Sequence, residues 1–232
     1  MTNENTIYRI TYEFCFKNGD SKHFHVDLNA DTLVIAAPDL TNKPGWTRLD
    51  FKQCPCCPLQ KEKHPDCPLA LNIARVIDSF QNTISYETCA VRCVTPERTY
   101  LKNTSLMEGL SSLLGLIMAA SNCPIMVLFR PMVRFHLPFS TVEETTVRAV
   151  SLYLLRQYFI HKSKQVVDLD LKKLHEHYET IQTLNTGLLE RIRGLHQSDT
   201  DRNAICIFHS LSQLLSTEID TDLFSLKYLF PG

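Results

Sequence analysis

The sequence predicts an α+β protein: an antiparallel sheet packed with helices, followed by a C-terminal helical hairpin. Three features carry this expectation. Strand-rich segments dominate the first third, capped helix signals gather after residue 105, and from residue 171 apolar residues recur in alternating steps of three and four.

Ile7–Phe16 has strand composition with partial alternation, Asn18-Gly19-Asp20 is turn chemistry, and His23–Leu28 can return as its partner. Asp31–Ala36 adds a third strand. Pro38, Pro44 and Gly45 then mark a loop with Trp46 packed near its end. A helix is expected over Pro68–Phe80, where Pro68 suits the first helical position and makes Cys67 the N-cap. Tyr86–Val94 and Thr99–Lys102 read as another strand pair. Ser105 with Glu108 has capping-box spacing before a helix at Leu110–Ala120, and Ser140 with Glu143 repeats it before a helix at Thr141–His161.

The pattern divides the chain into an α+β domain at 1–162 and a helical hairpin at 163–232. Leu171, Leu174, Tyr178, Ile181, Asn185, Leu188, Ile192 and Leu195 form an a/d seam; Ala204, Phe208, Leu211 and Leu215 can line a second helix. A seam of this kind predicts a homodimer through 170–217, with Asn185 setting the register. The same spacing also suits a helix lying on its own domain.

With 232 residues, 44% hydrophobic content and a net charge of −1, the chain can bury a core and offers no basic surface for nucleic acid. Gly109–Phe129 carries no charge, but Ser111, Ser112, Ser121 and Asn122 interrupt it and Cys123-Pro124 breaks a helix, so no membrane span is expected. Nine cysteines, an odd count, together with a polar stretch Met1–Asn5, point to a reducing, cytoplasmic setting rather than a disulfide framework.

The most informative segment is Gln53-Cys54-Pro55-Cys56-Cys57-Pro58, continuing to His64-Pro65-Asp66-Cys67-Pro68. Cys54 and Cys57 have the C-x-x-C spacing that lets one turn present two thiolates to an ion, and Cys67 sits where a helix N-terminus favours a thiolate. Cys54, Cys57, Cys67 and Cys123 are each followed by proline, which nominates Cys123 as the fourth ligand; Cys56 and His64 are the local alternates. Zinc is the first expectation for the cofactor and a [4Fe–4S] cluster the second, because both take four thiolates. A loop of packed, unligated cysteines is the third. Cys89 and Cys93 share a strand face, and Cys15 and Cys206 read as core.

Arg130, Arg134 and His136 could line an anion pocket, or the arginines could pair with Glu143 or Glu144. His175, His177 and Glu179 suggest a metal by spacing but suit a solvated helix face better. No phosphate loop, H-E-x-x-H or G-x-S-x-G occurs, and seven glycines leave little room for a nucleotide loop. The resulting expectation is a metal-stabilised regulatory or assembly module without catalytic activity. A redox sensor and a metal-dependent enzyme are the alternatives.

The Cys54–Leu59 and His64–Ala70 segments, with Val94–Thr99, Cys123-Pro124 and Arg134–Pro138, resemble a family of uncharacterised bacterial proteins. The similarity covers about residues 45–160 and leaves the C-terminal helices outside. It implies a bacterial cytoplasmic protein, supports the set Cys54, Cys57, Cys67 and Cys123, makes Cys56 a local addition, and transfers no catalytic role.

Overall fold

Four antiparallel strands form one sheet in the order β2-β1-β3-β4, where β1 is Ile7–Phe16, β2 Ser21–Asn29, β3 Thr88–Val94 and β4 Thr99–Ser105. The structure is a computed structural model that describes residues 7–36, 43–80, 86–192, 213, 216–221 and 223–231. The period of two along β1 buries Tyr8, Ile10, Tyr12, Phe14 and Phe16 on one face. That alternation exposes Cys15, which corrects its reading as a core residue, and it buries Cys89 and Cys93 together on β3. Cys206 lies outside the described residues.

The third strand expected at Asp31–Ala36 does not form. Asn29 accepts the backbone N–H groups of Asp31 and Thr32 through its side-chain oxygen, which turns the chain, and only a bridge from Leu28 to Ile35 remains.

The helices are α1 (Pro68–Ser79), α2 (Leu106–Ala120), α3 (Arg130–Arg134), α4 (Val142–Lys162) and α5 (Lys172–Ile192), with a 3₁₀ turn at Pro124–Phe129. Cys67 caps α1 as the Pro68 signal required. Helix α2 begins at Leu106 rather than Leu110 because Ser105 accepts the Glu108 N–H; the Glu108 carboxylate is taken by Lys102 and Thr104, so the box is only half closed. The box of α4 sits one residue later than expected. Thr141 and Glu144 bond reciprocally, while the Ser140 hydroxyl meets Thr145.

Helix α2 lies directly on the sheet. A Cβ at Gly109 would stand 2.8 Å from both Phe14 and Val91, so the close approach requires glycine there. The uncharged run continues from α2 into the Pro124–Arg134 segment through a bend of 106°. Among the described residues no single helix is long and apolar enough to cross a membrane.

Helix α5 packs on the first unit rather than standing apart. Leu174, Tyr178, Ile181, Leu188 and Ile192 belong to the same core cluster as the sheet and α2, and Asn185 is fully buried. The seam that suggested a dimer is therefore covered within one chain, and a dimer through 170–217 would have to use another surface. An amphipathic helix and a coiled-coil strand share this period, and the domain's own core satisfies it. Leu195, Ala204, Phe208, Leu211 and Leu215 lie outside the described residues.

Two polar anchors fix α5. Asp168 accepts the Lys172 and Lys173 N–H groups and the Tyr153 hydroxyl, tying its start to α4. Near its end Arg191, 1% exposed, donates to the carbonyls of Trp46, Arg48 and Leu49. Arg191→Leu leaves the buried Trp46 and Leu49 carbonyls without the guanidinium, while the Arg48 carbonyl keeps the Phe51 N–H. Since each unpaired buried polar group costs about 1–3 kcal/mol, urea denaturation should show a loss of at least about 2 kcal/mol.

Candidate metal centre

The cysteine loop is stitched at its base. Leu49 N–H bonds Pro65 O at 2.9 Å and Cys67 N–H bonds Thr47 O at 2.8 Å, so Cys67 is carried beside the start of the loop that holds Cys54. Between these ends the chain is mostly solvent-facing, with no apolar core of its own. Lys52, at φ 46, turns it into the cysteines, and its ammonium bonds Glu190 O on α5 at 2.8 Å.

Cys57 N–H bonds Cys54 O at 2.9 Å, which closes the C-x-x-C turn. Helix α5 covers it: the Cys54 Sγ lies 3.9 Å from Leu184 O and the Cys56 Sγ 3.8 Å from Thr180 O. A Cβ at Gly187 would come within 2.7 Å of the Cys54 sulfur, so this glycine sets how closely the helix lies on the loop. A third part of the chain supplies Cys123, buried at the start of the Pro124–Phe129 turn. His177 of α5 bonds the Ile125 backbone and packs on Phe129 with ring centroids 5.4 Å apart, so α5 touches the Cys123 turn as well as the Cys54 loop.

Burial raises two of these thiols, and the charge of other cysteines adds to the shift. Burial pushes the Cys54 thiol up to about 12, and charge on Cys67, Cys56 and Cys57 pushes the same way. Burial likewise raises Cys123 to about 12; the backbone N–H groups of Ile125 and Met126 oppose the shift, and charge on Cys67 and Cys57 adds to it. Cys67 and Cys57 thus act on both Cys54 and Cys123. Burial also raises Cys56, whose sulfur turns toward α5. His64 is exposed on a turn closed by its N–H to Gln60 O. As they stand, no three His, Cys, Asp or Glu side chains among the described residues are gathered tightly enough to hold one metal ion.

The anion pocket expected from Arg130, Arg134 and His136 is not assembled. Arg134 pairs with Glu97 at 3.2 Å and stacks over Tyr8, while Arg130 reaches Asn122. His136 is half-buried with its Nε2 2.6 Å from the Tyr12 hydroxyl. Glu143 and Glu144, the partners considered for these arginines, instead meet Tyr228 and the α4 N-cap. His175 sits between Glu179 and Asp220, whereas His177 is turned inward rather than solvated.

What sequence reasoning missed is the covering helix: Thr180, Leu184 and Gly187 carry no ligand chemistry. The one available signal was a glycine in the middle of an otherwise well-formed helix.

The structure is that of an α+β protein whose Cys54–Cys57 turn lies under α5. The chain belongs to the family described as a domain of unknown function (DUF6901), whose model matches residues 10–231. That match extends beyond the 45–160 stretch carrying the motif resemblance and includes α5. Comparisons with curated proteins and with solved structures find no match.

Burial, with a further push from Arg148, lowers His136 to about 3. The folded state therefore keeps it neutral, while the unfolded chain takes up a proton below the ordinary value of about 6.5. Stability should fall as pH drops from about 6.5 toward 3, by up to about 1.4 kcal/mol per unit, and this contribution should be flat above neutrality. Urea titrations at stepped pH should show the slope, and His136→Phe should flatten it.

Proposed function

We propose that this protein is a metal-binding module in which Cys54, Cys57, Cys67 and Cys123 hold the metal as thiolates and the centre serves assembly or regulation rather than catalysis. Either a zinc ion or a [4Fe–4S] cluster satisfies four thiolates.

The observation that carries this reading is Arg191. Its guanidinium is buried and its charge acts on Cys54, yet among the described residues no carboxylate pairs with it and its Nε has no hydrogen-bond partner. A buried cation without an acid needs a compensating anion nearby. Four thiolates around a divalent metal carry a net charge of −2 and would supply it. The same bonds would account for a loop that lacks its own apolar core: the metal would join the loop, the start of α1 and the end of α2 beneath α5. The anion-pocket enzyme reading loses its support, since Arg134 and His136 are already engaged with protein groups.

Metal analysis of the purified chain tests the proposal. The wild-type chain should hold stoichiometric metal, and Cys67→Ser or Cys123→Ser should lose it and lower the melting temperature. Cys15→Ser, on the exposed side of β1, should change neither. A chain that folds fully and holds no metal under reducing conditions overturns the proposal.

A further inference from the structure

We propose that the outer face of α4 is a self-complementary docking surface, on which the α4 of a second copy of this chain lies antiparallel about a two-fold axis between Ser151 and Leu155. The surface is separate from the cysteine loop and from the α5 seam, and the proposal does not depend on a metal.

Helix α4 distributes its residues against the usual order. Its inward side is partly small or polar: Thr145, Thr146, Ala149, Val150, Tyr153 and Gln157 are buried. Tyr153 and Gln157 spend their polar atoms on Asp168. Large apolar side chains point away from the core instead. Leu154 is 37% exposed, Leu155 51%, Tyr158 52% and Phe159 61%. A helix with a single apolar neighbour turns such residues inward, so four of them outside the second half of one helix mark a further apolar contact. Among the described residues no element closes over them. The aromatic pair is already ordered: the Tyr158 and Phe159 rings meet edge to face at 5.5 Å, and the Lys162 ammonium stands over Tyr158 at 5.3 Å.

Charge identifies the occupant. Glu143 and Glu144 lie in the first turn of α4, His161 and Lys162 in the last. Glu144 and Lys162 are separated by a whole number of turns at about 3.6 residues each, so they share one line along the helix. Ser151, Leu155 and Tyr158 fall close to that line, with Leu154 on one side of it and Phe159 on the other. An antiparallel copy sets Glu144 opposite Lys162 at both ends and opposes the two helix dipoles. It also seats each Leu155 against the small Ser151 of the other copy. A parallel copy would set like charges together at both ends. The stripe thus runs from acid through an apolar centre to base, the order that an isologous contact requires. An anionic membrane would attract the basic end and repel the acidic one.

Sedimentation velocity of the full chain under reducing conditions, over a concentration series, tests the proposal. A monomer–dimer equilibrium is expected, weaker at high salt because its end pairs are exposed. Leu155→Glu and Tyr158→Glu should each raise the dissociation constant about 100-fold or more, since the two-fold axis counts every substitution twice. Leu155→Met should keep the dimer, and none of the three should lower the melting temperature of the dilute chain. Should Leu155→Glu fail to fold, Lys162→Glu in the exposed last turn reads the same contact, with about a tenfold loss expected. A chain that stays monomeric throughout overturns the proposal, as does a dimer that survives Leu155→Glu, Tyr158→Glu and Lys162→Glu. A monomer that co-sediments with anionic lipid vesicles gives the face to a membrane surface, and one that Leu155→Glu destabilises gives it to this chain's own residues; each overturns the second copy.

Discussion

The buried guanidinium of Arg191 is the constraint on which the rest of the arrangement depends. It comes from near the C-terminal end of α5 and satisfies three carbonyls within residues 46–49, the stretch that leads into the cysteine loop. Backbone carbonyls buried under a helix must be paired; the Phe51 N–H also reaches the Arg48 carbonyl, while those of Trp46 and Leu49 are met by the guanidinium. The contact spans more than 140 residues of sequence, so it ties the start of the cysteine loop to the end of α5.

Docking of α5 organises the sulfur neighbourhood in turn. The helix presents Gly187 and the Leu184 carbonyl to Cys54, the Thr180 carbonyl to Cys56, and His177 to the turn that follows Cys123. The cost of this burial falls on the thiols, which are pushed well above their ordinary range and hinder one another's ionisation. A bound metal would reverse both effects, since a thiolate that is unfavourable alone in a dry site becomes favourable beside a cation. The proposed centre and the packing of α5 are therefore two halves of one energetic arrangement.

The polar residues on the opposite side of the core follow a different logic. Tyr12, His136 and Arg148 lie where the α3–α4 connection meets the sheet, and their bonds are spent on one another or on local carbonyls. A histidine held neutral against a tyrosine, and an arginine satisfied by Glu97 and an aromatic ring, are features of packing rather than of ligand capture. The same residue types in sequence suggested an anion site because sequence lists the donors without their partners.

Local chemistry determined a good deal of this protein by itself. The alternation of Ile7–Phe16, the glycine turn after it, the Cys67-Pro68 helix start and the Ser105 cap depend on neighbours within a few residues, so they are legible without a fold. The repeated Cys-Pro pairs nominate Cys123 alongside the loop cysteines, some fifty residues away, and that nomination belongs to the proposal above. Only tertiary structure decided the remainder: that Cys15 faces solvent, that the segment after β2 turns back without pairing, and that the α5 seam is spent on its own core. The physical reason is the same in each case. A period of two or of three and a half states that one face will be covered, but what covers it depends on which distant surface arrives there, and that is fixed by packing.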